Sequence, residues 1–412
     1  MRFPGFEEDW ETVGFGSYIS FKTTNSFSRE NLNYGNGTVK NIHYGDIHTQ
    51  FQTLFDVTKE KVPFIDKGLN ISRISEDSFC KEGDIIFADA SENLNDVGKS
   101  IEIVNLNDEK VLSGLHTLLA RPIENKFEKG FLGYLLKSKN ARLQIQKESQ
   151  GSKVLSINAG RLSKISLSYP NNHEQKRIAN FFSLLDEKIE TQKKTIENIE
   201  SLKSSLLNKI FKRKNEFYKN KNWQERQLAQ TSHEHQDKNK KNLHNEVFSV
   251  AKNKGVINQI EHLGRSFSAS DISNYKLIYP GDLVYTKSPT SDFPFGIIKQ
   301  NRTNRIGVVS PLYCVFTPQS FALGYLIHEY FESAVNTFNY LNPLVQKGAK
   351  NTMNINNDTF LNGAELFLPI DEREQEKLYK LFSSVNQKIE IESRILEKLN
   401  QQKKYFLQNL FI

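Results

Sequence analysis

The stretch "NLNDVGKS", Asn93 to Ser100, closes on the Gly-Lys-Ser with which a phosphate-binding loop holds a nucleotide. The full pattern needs a glycine where Asn93 stands, so an exposed turn is expected instead. "NPLV" at Asn342 lacks the second proline and the aromatic residue of a base-clamping methyl-transfer platform, and "GFGS" at Gly14 is a lone glycine pair with no strand before it. His233, His235 and His244 cluster in a Lys/Asn-rich stretch without the fixed spacing of metal ligands. Cys80 and Cys314 stand far apart, with no CxxC spacing. "DEK" at Asp186 falls on a long polar helix, where carboxylates and lysines make a solvated face. The expectation is a chain without catalysis, metal or cofactor of its own.

Binding chemistry is better represented. Fifty-five Lys and Arg against 48 Asp and Glu give a formal charge of +7 and a pI near 9.0, a balance that suits a polyanion. From Lys212 to Lys241 nine Lys/Arg face four Asp/Glu, which as readily describes a solvated connector. Holding a duplex takes Lys and Arg on phosphates, and reading it takes side chains at base edges. The candidates, taken from loops beside short Gly-Asp motifs, are Lys40, His43, Tyr44, His48, Thr49, Arg73, Ser91, Lys99 and Lys153 in the first half of the chain. In the second half they are Lys254, Arg265, Lys287, Ser288, Arg302, Arg305, Lys347 and Lys350.

These residues must be placed by globular parts, and the sequence contains two of them in the same order. "KEGDIIFADAS" at Lys81 answers "YPGDLVYTKSP" at Tyr279, "LGYLL" at Leu132 answers "LGYLI" at Leu323, and "GSKVLSIN" at Gly151 answers "GAKNTMNIN" at Gly348. "ISLSYP" at Ile165 answers "AELFLP" at Ala364, and a long polar helix follows each. An ordered series of this kind indicates an internal repeat. Gly-Asp turns leading into short β-branched or aromatic runs read as strands, and the leucine-rich stretches as helices. The expected class is α+β: two pseudo-repeated globular domains, residues 1–170 and 216–370, joined by two long helices, residues 171–215 and 371–412.

Alternating steps of four and three pick out a seam on each helix. The first is Ile178, Phe182, Leu185, Ile189, Gln192, Ile196, Ile199, Lys203, Leu206 and Ile210. The second is Leu378, Phe382, Val385, Ile389, Glu392, Leu396, Leu399, Lys403, Phe406 and Leu410. Both polar interruptions fall at the same register, and the heptad spacing predicts a coiled coil. The short connector after the first helix favours antiparallel pairing within one chain, with Gln192 and Glu392 near a pseudo-two-fold axis. Two related domains on a stiff spacer suit a split duplex target with unread base pairs between its halves.

With "RFPGFEEDWE", "YGDIHTQF" at Tyr44, "EGDIIFADASENLNDVGKSIEI" at Glu82, "GLHTLLARP" at Gly114, "PGDLVYTKSPTSDFPFGIIK" at Pro280 and "VVSPLYCVFTP" at Val308, the sequence resembles the specificity subunit of type I DNA restriction–modification systems over essentially its whole length. The resemblance implies two target-recognition domains, each reading half of a bipartite asymmetric site. It also implies helices that dock two modification (methyltransferase) subunits, with restriction/translocase subunits completing the complex. S-adenosylmethionine would then sit on the modification subunits, and ATP and Mg²⁺ on the restriction subunits. The family's double proline before each "EQ" helix is reduced here to "YPNNHEQ" and "LPIDEREQ". A coiled-coil scaffold whose globular ends bind proteins is the alternative reading. No leader-like or membrane-spanning stretch is expected, and a cytoplasmic location follows.

Overall fold

The computed structural model describes residues 2–124, 126–211, 222–347 and 353–411. Two compact units divide the chain: Met1–Lys194 with Ser393–Ile412, and Thr195–Glu392.

In the first unit, Thr117–Pro122 lies between Ile19–Lys22 and Ile85–Ala88, and Ile85–Ala88 pairs in turn with Ser100–Asn105, all antiparallel. Leu54–Asp56 adds a parallel edge. Ile85–Ala88 is wholly buried, as an unbroken apolar run at a sheet centre demands. A second sheet orders Lys110–Ser113, Val39–Ile42, Phe64–Ile65 and Leu32–Asn33. Glu11–Gly14 pairs with Ser166–Tyr169. The leucine-rich stretch forms two helices rather than one, Phe131–Leu135 and Lys139–Glu148, because Ser138 starts the second by accepting the Ala141 N–H.

The second unit has the same central order. Cys314–Pro318 lies between Ser232–Glu234 and Leu283–Tyr285, and Leu283–Tyr285 pairs with Ile298–Gln300. Trp223–Gln227 pairs with Glu365–Pro369, and the helix Phe321–Phe331 packs its apolar side on the sheet.

Each central sheet is entered through a Gly-Asp turn. Gly83 and Gly281 take φ of +87° and +94°, a region open to glycine and costly for other residues. The following carboxylates are buried. Asp84 accepts the Lys81 N–H and Asp282 the Tyr279 N–H, both at 2.7 Å. Asp84 also grips Arg121 through two bonds of 2.8 Å, whereas Asp282 takes the Thr317 hydroxyl and lies 3.0 Å from His235 Nε2.

The long helices run Asn172–Ile210 and Glu372–Asn409. Asn171 and Asp371 cap them, their side-chain oxygens accepting the N–H of Glu174 (3.0 Å) and Glu374 (2.9 Å). Gln175 and Gln375 reach back to the carbonyls of Pro170 and Pro369. These caps serve where the resemblance implied a second proline. None of the seam positions is exposed, whereas Leu184, Leu202, Leu381, Ile391 and Ile395, off the seam, all are. Within the first unit, Phe181 meets Phe406, Phe182 stacks on Phe411, and Lys403 pairs with Asp186. Within the second, Leu207 and Ile210 share a cluster with Phe382, flanked by Leu378 and Leu206.

Candidate nucleic-acid interface

The motif "YGDIH" forms the helix Tyr44–Thr49. His43 caps it: its Nδ1 accepts the Gly45 N–H at 3.1 Å and lies 3.3 Å from Arg29 Nη2. Burial, then the neighbouring guanidinium, pushes the His43 pKa down, so its neutral form is favoured. Asp46 is buried and receives a two-pronged bond from Arg29, at 2.9 and 2.8 Å, which fixes the helix against its own loop.

This helix presents a surface group. The Tyr44 ring lies 4.6 Å from that of His43, 6.0 Å from His48 and 5.3 Å from His116. His48 Nε2 is 3.0 Å from the Ala90 carbonyl, and Lys99 donates to the His48 carbonyl at 2.6 Å. Ser91 follows Ala90 in a two-residue strand whose partner is Leu155–Ser156, and exposed Lys153 stands just before that partner. Tyr44, His48, Ser91, Lys99 and Lys153 are thus brought to one region. Thr49 turns back to the Gly45 carbonyl. Lys40 is engaged elsewhere, 2.6 Å from Glu109 and over the Phe64 ring, and Arg73 is exposed in a separate loop.

In the second unit, Lys287 stands as far beyond its turn glycine as Asp89 does in the first, and takes a left-handed backbone, φ +59°. A Cβ at Gly296 would come within 2.8 Å of the Lys287 nitrogen, so a glycine is needed there for this close approach. Burial lowers the Lys287 pKa, and Ser288 beside it is exposed. Lys254 lies 3.4 Å from His262 Nδ1, and exposed Arg265 covers the Phe267 ring at 4.5 Å. Arg302 lies over Tyr325 at 3.6 Å and bonds Glu329 at 2.9 Å, while Arg305 bridges Glu246 and Glu261. These two arginines are internal ties. Lys350 lies outside the described residues, as does the side chain of Lys347. A cavity of about 430 Å³ is lined by Lys203, Lys252, Lys254, Arg302 and Glu329, but Lys203 and Arg302 both answer Glu329, and Lys252 answers Asp292.

His235 serves Asp282, and His233 is exposed on the strand Ser232–Glu234, with no group of three metal-ligating side chains among the described residues. Both cysteines are buried, and burial pushes the Cys314 thiol up to about 12. No helix among the described residues is long and apolar enough to cross a membrane.

Residues 7–201 match the family model of the type I restriction modification DNA specificity domain. The chain carries a type I specificity domain. A curated relative from Methanocaldococcus jannaschii, named as the type I restriction enzyme MjaX specificity subunit, is 35% identical over 132 residues; the match takes in 31% of this chain and 30% of that protein's length. The crystal structure of the type I restriction-modification S subunit from M. genitalium aligns over 98% of this chain and 96% of its own, with a TM-score of 0.59 and 14% identity. A structure from work on complex assembly and conformational transition of the type I R-M system aligns over 97% of each chain, with a TM-score of 0.55 and 12% identity. The fold shared with these two structures therefore extends along nearly the whole chain.

Within the specificity domain the sequence reading missed Arg29 and His116. Arg29 carried no motif, and its role depends on a carboxylate, Asp46, seventeen positions away. His116 had a signal, since it sits in "GLHTLLARP". Its φ of +55° is uncommon for a residue with a side chain, and its ring stays about half exposed against Tyr44, with Nδ1 3.3 Å from Asp89.

Proposed function

We propose that this chain is a DNA-sequence specificity subunit in which each unit reads one half of a bipartite, asymmetric target and neither performs catalysis. The observation that carries the reading is the match of residues 7–201 to a DNA specificity domain. The second unit supports it further, through the shared strand order, the repeated Gly-Asp turn and the matching helix caps. We take these as marks of duplication, with divergence at the reading surface: Tyr44, His48 and His116 in one unit, Lys287 and Ser288 in the other.

In this reading the two long helices run antiparallel as a coiled coil that fixes the spacer, with Gln192 and Glu392 setting its register. Reversed contact order within the first unit supports it: Phe181 and Phe182 meet Phe406 and Phe411, whereas Asp186, further along the first helix, answers Lys403, earlier in the second. The exposed off-seam residues Leu184, Leu202, Ile391 and Ile395 offer apolar surface for two modification subunits. S-adenosylmethionine would be bound by those subunits, ATP and Mg²⁺ by restriction subunits, and the complex would act in the cytoplasm.

Footprinting of the complex assembled with its modification subunits tests the proposal. Two protected segments separated by an unprotected gap are expected, and no sequence-dependent protection at all would leave a protein-binding scaffold instead. Incubation of the lone chain with labelled methyl donor and duplex should give no transfer.

A further inference from the structure

The turn that failed as a nucleotide loop frames a cavity of about 150 Å³ in the first unit, lined by Asp96, Lys99, Ser100, Lys137 and Arg142 among others. Gly98 takes φ +63°, which lets the chain fold round before Lys99 and Ser100. Arg142 holds this turn from behind, donating to the carbonyls of Val97 at 2.7 Å, Gly98 at 3.0 Å and Asn95 at 3.1 Å. Lys99 donates to the His48 carbonyl and lies 3.8 Å from Asp96.

Lys137 differs from these. It is half-buried, and its ammonium has no hydrogen bond or ion pair among the described residues. The charges acting on it are mostly of its own sign: Lys403, Lys99 and Arg142, against the single carboxylate of Asp186, which is itself engaged by Lys403 and by Tyr134 at 2.9 Å. Ser100, a buried residue on the same wall, likewise has no hydrogen bond from its hydroxyl among the described residues. Several converging cations, an unpaired donor and an unpaired hydroxyl form a site that a small anion would complete, since it would offset the mutual repulsion and satisfy both donors.

We propose that this cavity seats one phosphate-type oxyanion, held by Lys137 Nζ and the Ser100 hydroxyl with Lys99 beside them. The volume admits a tetrahedral oxyanion but no nucleoside, in keeping with the loss of the first loop glycine. Burial and then the neighbouring Lys403 and Lys99 push Lys137 down to about 7, so seating an anion near neutral pH would draw in a proton. Two sources share this chemistry: a phosphodiester of bound DNA, which rests on the function proposed above, and free inorganic phosphate, which does not.

The test uses the full chain at fixed ionic strength, with sodium phosphate replacing sodium chloride, followed by calorimetric titration and thermal midpoint. A saturable, phosphate-specific rise is expected. Lys137→Met should weaken phosphate binding at least tenfold, and Ser100→Ala should weaken it by a smaller factor. Equal behaviour in phosphate and chloride, or wild-type phosphate affinity in both variants, would overturn the seat. Duplex binding measured across salt concentrations then separates the sources. With a phosphodiester occupant, free phosphate competes with DNA and Lys137→Met lowers the log–log salt slope by about one. With free phosphate as occupant, the slope stays unchanged while the phosphate isotherm is lost. Failure of the wild-type chain to bind any duplex would bear on the proposed function and leave the phosphate result standing.

Discussion

Asp84 is buried between the Arg121 guanidinium and the Lys81 N–H, and accepts hydrogen bonds from both. Asp84→Ala should cost about 2–3 kcal/mol, because the Lys81 N–H would lose its acceptor and Arg121, itself mostly buried, would keep only the exposed carboxylate of Asp77 and the carbonyls of Asp77 and Phe79; a denaturant titration measures it. Glu102 offers a pH-dependent counterpart. It is buried, accepts the N–H groups of Gly130 and of Gly133 (2.7 Å), and burial raises its pKa from 4.5 to about 7. Between those values the folded chain holds a proton that the unfolded chain has lost, so stability should fall as pH rises from about 4.5 to 7, by about 3 kcal/mol from this group. Glu102→Gln should flatten that part of the stability–pH curve relative to wild type. Among the binding candidates, Lys153→Ala should lower the salt slope of duplex binding by about one, whereas Lys40→Ala, whose charge is already answered by Glu109, should leave it nearly unchanged. That contrast marks the limit of the sequence reading at this scale. Lys40 and Lys153 both sit beside motifs, and only the fold reveals that a carboxylate 69 positions on has claimed one of them.

The elements were more legible than the contacts. A heptad pattern depends only on spacing along one helix, so the buried face of each long helix follows from residue order: Phe182 and Phe382 are fully buried and Leu184 is exposed. Phe182→Ala should cost about 3–5 kcal/mol, and Leu184→Ala less than about 0.5, as read from chemical denaturation. Less legible were the breaks. Ser138 splits a continuous helical pattern because its hydroxyl caps a new start, a competition that apolar periodicity does not register. The sequence also gave no notice of the second, four-stranded sheet in the first unit, whose strands are as short as two residues and join segments far apart in the chain.

For the molecule as a whole, spacer and readout should be separable. Lengthening both long helices by one heptad should widen the unread gap of the footprint while leaving both half-site sequences intact, and exchanging residues 216–370 for a relative's should alter one half-site only; methylome sequencing of cells carrying the assembled complex reads both outcomes. A further consequence follows from the composition of the first unit. Its apolar core includes Leu410 and Phe411, the latter stacked on Phe182, from a segment made some two hundred residues after the rest of that core. At ribosomal speeds of about 5–20 residues per second, that unit would wait roughly ten to forty seconds for its closing piece. During this interval the rings of Phe181 and Phe182 lack their native cover, so chaperone occupancy and aggregation during synthesis should concentrate on this first-made half, and a nascent chain halted at residue 392 should be digested there by protease sooner than the released protein.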